Sequence, residues 1–166
     1  MLRSRAARCR FGRRSDFGAA SARSEPRPAA TDAAGLSDEL DKIAEQVRAW
    51  LDSGAEPATI AVLAPDRFQR DRIVARLTEA KIGARAIDSG ALPTDRVAVM
   101  TMHRAKGMEY PNMVVTDVGY VSPAEHKRLD AMDPSERSDA QLRRRSLLYV
   151  AATRARDQLA VVTRTH

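Results

Sequence analysis

The sequence predicts an α/β fold in which a mainly parallel sheet is sandwiched by helices. Three observations carry that expectation. Short apolar runs that fit strands alternate with longer segments of helical period. The most apolar run, 59–64, lacks the polar and apolar alternation of a half-solvated strand, as strands buried on both faces do. A length of 166 residues gives room for one ordinary domain and excludes a second large one.

Residues 1–35 are rich in Arg, Ala and Ser, include Pro26 and Pro28, and show no sustained period. They are expected to form a disordered leader, with the folded domain spanning 36–166. Arg13 and Arg14 invite a twin-arginine export reading, and the Arg-rich opening resembles an organellar transit peptide. The stretch from Gly18 to Arg23 is too short and too polar for the apolar segment that export requires, so an unstructured or spuriously translated leader is the preferred reading.

Ser37 is the expected N-cap of the first helix, with Asp38 and Glu39 in its first turn, where the helix dipole favours acids. Leu40, Ile43, Val47, Trp50 and Leu51 then recur at three- and four-residue steps, and Gly54 closes the helix. The run 59–64, bounded by Pro57 and Pro65, reads as a strand inside the sheet. A second helix at about 67–80 turns Ile73, Val74 and Leu77 inward and leaves Arg67, Arg70, Arg72 and Arg76 on its other faces, with Gly83 at its exit. Further strands are expected at 84–87, 97–101, 113–117 and 159–163, and a helix at 138–152. Trp50 and Tyr149 are expected in the core.

The formal charge of +6 is concentrated at one end. Residues 1–35 carry eight Arg against three acidic residues, whereas 36–166 carry 20 basic against 19 acidic residues. Bulk charge therefore argues little for nucleic acid, and any such surface must come from local placement. Cys9 is the only cysteine, so neither an intrachain disulfide nor a cysteine metal cluster can form, and a cytoplasmic location is expected. No apolar stretch approaches the roughly 18 to 20 residues needed to span a bilayer.

Two constellations carry chemistry. The first runs from Thr101 to Tyr110, directly after a strand. Polar groups at the C-terminal ends of parallel strands face the crevice where open α/β sheets bind ligands. Thr101, His103, Arg104 and Lys106 offer donors to phosphate oxygens, Gly107 allows close backbone approach, and Glu109 offers an acceptor for ribose hydroxyls. The second runs from Arg143 to Arg156, where an apolar helix carrying Leu147, Leu148 and Val150 delivers Thr153 and Arg154 at its end. A guanidinium held by such packing can act as an arginine finger on a phosphate, which makes Arg154 the first catalytic candidate. Blander roles stand beside these: His103 as a loop histidine, Arg143 to Arg145 as a solvated helix start, Glu109 as a turn cap.

Taken together, T-x-H-x-x-K-G-x-E-[FY] followed by L-L-Y-V-A-x-T-R-A resembles motifs V and VI of the UvrD/Rep/PcrA superfamily 1 DNA helicases. The resemblance covers about residues 36–166 and implies the second, C-terminal RecA-like domain (P-loop NTPase-like) of such an enzyme, with Ile60 to Ala64 and the following helix similar to the motif IV region. It implies that Thr101 and His103 lie toward single-stranded DNA, that Glu109 lies toward the ATP ribose, and that Arg154 reaches the γ-phosphate of ATP held by another half. It also implies 3′ to 5′ polarity. Pro65 and Asp66 disturb the motif IV pattern and leave Arg67 or Arg70 as counterparts of an arginine that contacts ATP there.

The sequence also departs from that family. Nothing matches G-x-x-x-x-G-K-[ST], and no acidic Walker B strand is present. ATP and Mg²⁺ are therefore expected to be held mainly by an N-terminal P-loop half, in cis or in trans, and this chain alone is expected not to hydrolyse ATP. Only nine residues separate Ile87 from Val97, where these enzymes usually carry a large mobile subdomain. The expected function is the C-terminal motor domain of an ATP-dependent DNA helicase or translocase. The alternative is a stand-alone single-stranded-DNA-binding module or an inactive remnant.

Overall fold

The computed structural model describes residues 28–118, 121 and 123–164. Expectations attached to residues 1–27, the export and transit readings among them, lie outside the described residues. Six strands form one sheet: β1 (Ala29–Ala33), β2 (Ile60–Ala64), β3 (Ala84–Ile87), β4 (Val97–Thr101), β5 (Tyr110–Val118) and β6 (Ala155–Arg164). Every recorded pairing is parallel, in the order β1-β6-β5-β2-β4-β3. The helices are α1 (Leu36–Asp52), α2 (Arg67–Glu79), α3 (Pro123–Asp130) and α4 (Pro134–Ala152), with a single 3₁₀ turn at Pro57–Thr59.

The central strand shows why the run 59–64 carries no alternation. Ile60, Val62 and Ala64 pack on one face with Ile43, Val47, Trp50, Ile73 and Leu77 from α1 and α2. Ala61 and Leu63 pack on the other face with Met100, Met113 and Ala151. Both faces are covered, so apolar side chains are favoured at each successive position. β4 divides in the same way, Val97 and Val99 to the first face, Ala98 and Met100 to the second.

α1 presents the expected apolar stripe, and Trp50 is buried, its indole N–H donating to Gln158 Oε1 at 2.8 Å. Its start differs from expectation. Gly35 occupies the N-cap without a side-chain bond, and Ser37 lies inside the helix. Asp38 instead reaches back to accept from the Ala34 N–H at 2.8 Å. Gly54 ends the helix at φ 97, with the Ala55 N–H donating to the Trp50 carbonyl. α2 is capped by Asp66, whose Oδ1 accepts from the Gln69 N–H at 2.8 Å.

Three further expectations are corrected. Residues 29–33, assigned to the disordered leader, form the edge strand β1. Their composition gives little strand signal, but β6 has an open edge to pair with and Ala33 is fully buried beneath α1. α4 begins at Pro134 rather than 138 and is preceded by α3, whose polar sequence has no buried residue and hence no apolar period to detect. Tyr149 is 72% exposed. Leu147, Leu148, Ala151 and Ala152 take the sheet-facing side of α4, which turns Tyr149 outward.

At the C-terminal edge of the sheet, four elements converge on Glu39, which is fully buried. Its carboxylate accepts from Arg164 Nε and Nη2 at 3.0 and 2.5 Å, from Gln69 Nε2 at 3.2 Å and from the Asp117 N–H at 2.8 Å. One carboxylate thus ties α1, α2, β5 and β6 together, with the charge of Arg164 balancing its own. Glu39→Ala is expected to destabilise the fold by about 3 to 5 kcal/mol, because Arg164 loses its main counter-charge while remaining buried. Urea unfolding of the variant measures this, and a loss below about 1 kcal/mol would show that the network is solvated.

Candidate functional site

β4 ends at Thr101, level with Ala64 of β2, and the ladder extends one step as the Met102 N–H donates to the Ala64 carbonyl at 2.9 Å. The chain then turns tightly, with the Arg104 and Ala105 N–H groups both donating to the Thr101 carbonyl. Met102 and Ala105 are buried in the second-face core, which leaves His103 and Lys106 exposed. Gly107 at φ 80 makes the next turn, a conformation that side chains rarely adopt. Tyr110 then opens β5, two residues before Asn112, which lies level with Ile60. The segment 102–109 therefore runs from the C-terminal edge of the sheet to its N-terminal edge, roughly 15 to 20 Å at strand rise.

That crossing separates the sequence-predicted residues into two groups. Thr101 and His103 stand at the C-terminal edge. Gly107 and Glu109 reach the N-terminal edge, where the Tyr110 N–H donates to the Arg154 carbonyl at 3.1 Å. α4 ends at this point: the Arg154 N–H donates to the Ala151 carbonyl at 3.1 Å and its Nε to the Val150 carbonyl at 3.3 Å. Arg154 is half-buried at the junction and Glu109 is exposed beside it. Arg156 is held protonated chiefly by hydrogen bonds to Asp157, with Glu109 adding a smaller attraction.

Two predicted contacts are placed elsewhere. Arg70 lies on α2 at the opposite edge from Glu109 and Arg154, and the structure does not bring it to them. It is buried, with Nε donating to Asp71 at 2.8 Å and Nη1 engaging Asp88. Burial works against its charge, but Asp71 and Asp88 outweigh burial and hold it protonated. Arg67, the other motif IV counterpart, is exposed and pairs with Asp88 at 3.4 Å. Arg104 turns inward: its Nε is buried without a hydrogen-bond partner, as is the Tyr110 hydroxyl. Burial pushes the Tyr110 phenol up, and the Arg104 charge opposes that shift.

At the C-terminal edge, His103, Asp66, Asp117, Arg128, Arg143 and Arg144 line a cavity of about 460 Å³. Met102, Leu147 and Leu148 form its apolar wall. Sequence reading took Asp117 as the end of a strand and missed it as a site residue. Pairing with β6 shifts between Val115 and Val118, and within that bulge Asp117 adopts φ 60, a left-handed conformation that Asp and Asn accept more readily than most residues. The Thr116 hydroxyl bonds to the Leu63 carbonyl at 3.1 Å beside it. Arg164 Nη2 lies 3.3 Å from Asp117 Oδ1 as an ion pair but directs its hydrogen bond to Glu39. Oδ1 is therefore buried and accepts no hydrogen bond. A lone acid closing an apolar run, as in Val114-Val115-Thr116-Asp117, was the available signal.

A six-stranded, all-parallel sheet covered by helices is the RecA-like architecture of helicase C-terminal domains. Residues 89–166 match the family model of the UvrD-like helicase C-terminal domain. Among solved structures, the chain is similar to the C-terminal domain of a possible DNA helicase from Lactobacillus plantarum WCFS1, with 18% identity and a TM-score of 0.60, over 82% of this chain and 73% of that one. Weaker likenesses are the C-terminal domain of the DEAD-box protein Dbp5 (11% identity, TM-score 0.48, 84% and 76% covered) and an arterivirus nonstructural protein 10 helicase in complex with DNA (12%, 0.44, 80% and 28%). No curated protein matches the chain. No helix among the described residues is long and apolar enough to cross a membrane.

Burial pushes the Asp117 carboxyl up from 3.8 to about 6, opposed by Arg164 and reinforced by Glu39. The folded protein thus holds this proton more tightly than the unfolded chain does. The resulting stabilisation is complete below the unfolded value and is lost as pH rises through about 6. Asp117→Asn removes the titration, so the variant is expected to gain about 2 to 3 kcal/mol relative to the parent between about pH 4 and pH 7. Urea unfolding at both pH values measures it, and a pH-independent difference would contradict the shift.

Proposed function

We propose that this chain supplies the second RecA-like half of an ATP-dependent DNA helicase or translocase. In this reading it works with a P-loop half provided by a longer chain or by a separate protein. The observation that carries the reading is the bond from the Tyr110 N–H to the Arg154 carbonyl. It joins the end of the first motif to the end of the second, so Glu109 and Arg154 share one edge while Thr101 and His103 occupy the other. One domain can then face nucleotide and strand at the same time, as a motor that couples ATP turnover to movement along DNA requires.

The residues present fit part of an ATP site. Arg154 is anchored by its own helix end and presents a permanent positive charge, suited to a γ-phosphate whose negative charge develops during transfer. Glu109 is exposed beside it and accepts from ribose hydroxyls, and Gly107 lets backbone approach. Mg²⁺ and the triphosphate cradle fall to the P-loop half, where bound metal would neutralise phosphate charge. Arg70 is left out of this assignment because Asp71 and Asp88 already engage it. A 3′ to 5′ polarity follows from the resemblance to the UvrD/Rep/PcrA enzymes.

Adding a purified P-loop half of a UvrD-like enzyme to the chain is expected to give ATPase activity, and Arg154→Ala to lower kcat by about 10³-fold or more, as loss of an arginine finger does. Unchanged turnover in the Arg154→Ala mixture would falsify the finger assignment. A second reading, a single-stranded-DNA-binding module, is favoured by the C-terminal edge, where Thr101, His103 and the cavity all come from this chain. On that reading the chain alone binds oligo(dT) more weakly as salt rises, and the His103→Ala, Lys106→Ala double variant loses most of the affinity in fluorescence anisotropy. Absence of any binding by the parent chain would leave an inactive remnant.

A further inference from the structure

We propose that the cavity at the C-terminal edge seats a guanine-type base, with Asp117 accepting from the base edge. This rests on the reading that a nucleic acid strand crosses this edge, and it assigns to that surface a base preference that motif resemblance does not imply.

The cavity volume of about 460 Å³ lies within the range of sites for small ligands. Its wall of Met102, Leu147 and Leu148 suits the flat face of a base rather than a sugar or a bare phosphate. His103 and Arg143 are exposed at its lining, where they can meet a strand's phosphates. Three acids line the space, and they differ. Asp66 is engaged as the cap of α2, and Glu125 accepts from Arg128 at 2.7 Å. Asp117 is buried in a bulge that departs from the ladder; Arg164 Nη2 lies 3.3 Å from its Oδ1 as an ion pair, but Oδ1 accepts no hydrogen bond. A buried acceptor of this kind costs free energy unless something donates to it, and bulges characteristically re-aim a side chain beside a functional site.

A carboxylate only accepts, so it selects for donors. Guanine presents adjacent N1–H and N2–H donors on its Watson–Crick edge, which match the two oxygens of a carboxylate. Cytosine and adenine present an amino group next to a ring nitrogen acceptor. Thymine presents a single N–H between two carbonyl oxygens, which a carboxylate repels. The expected order of affinity is guanine first, cytosine and adenine next, thymine last. The base can arrive on a strand or as a free nucleotide, since the recognising chemistry is shared.

The test uses the full chain and fluorescent oligo(dT) carrying one central substitution, read by anisotropy. Relative to all-thymine, a central dG is expected to bind roughly 5- to 50-fold more tightly, and hypoxanthine, which lacks the 2-amino group, to fall between them. Asp117→Asn, which keeps both shape and tolerance of the left-handed backbone, is expected to bring the dG to dT ratio close to one. Equal affinity for dG and dT in the parent chain, or a ratio that survives Asp117→Asn, overturns the proposal while leaving strand binding intact. If no oligomer binds, the strand-contact reading fails, and calorimetry with GMP and TMP alone decides the rest. Binding of GMP but not TMP keeps the base site and assigns it to a free nucleotide, whereas binding of neither removes it. The hypoxanthine comparison needs no variant, so a folding defect in Asp117→Asn cannot mask the outcome.

Discussion

The hydrogen bond between the Tyr110 N–H and the Arg154 carbonyl is the constraint on which the arrangement rests. It lies where β5 and β6 begin, and parallel pairing holds two segments together that are more than forty residues apart in sequence. Upstream of it, the crossing segment is pinned to the sheet by Met102 and Ala105. Downstream, α4 is pinned by Ala151 and its half-buried neighbours. Both polar motifs are thereby laid on the same face. Their exposed residues are held by apolar side chains that do no chemistry themselves, so side-chain packing rather than loop conformation sets the site.

Much of this was legible in the sequence because it follows from two periodicities. The run from Ile60 to Ala64 announced a strand covered on both faces, and Ile43, Val47 and Trp50 announced the stripe that covers one of them. The motif resemblance turned Glu109 and Arg154 toward one nucleotide, and the bond from the Tyr110 N–H to the Arg154 carbonyl sets the backbone of both motifs at one edge. Most of what sequence missed had no local signal. β1 takes its strand conformation from the open edge of β6, α3 lacks an apolar face, and Tyr149 is turned outward by a helix whose rotation is fixed by its neighbours. Arg70 looked like a free cation because nothing in a linear string reveals that Asp88, after β3, would fold back onto it. Asp117 was hidden for the opposite reason: a bulge changes which way a strand residue points, and bulges depend on pairing.

Charge follows the same logic. The tail accounts for most of the net positive charge, yet the polar features that matter are nearly balanced pairs set at the sheet edges. Glu39 with Arg164, and Arg70 with Asp71 and Asp88, consume guanidinium groups in holding helices to strand ends. Arg154 differs in that its hydrogen bond goes to a backbone carbonyl of its own helix, which orients the group without neutralising it.

The position of β2 has a further implication for how such a domain is inherited. Residues 89–166 carry the recognisable motifs, but β2 lies between β4 and β5 and bonds to both. A gene segment encoding only the motif-bearing part would produce two strand groups with an empty lane between them, each exposing apolar side chains and unpaired backbone. Exon shuffling or frameshift events that preserve this fold must therefore carry the less distinctive first half along with the second, and selection on the motifs acts indirectly on a strand that contains none of them.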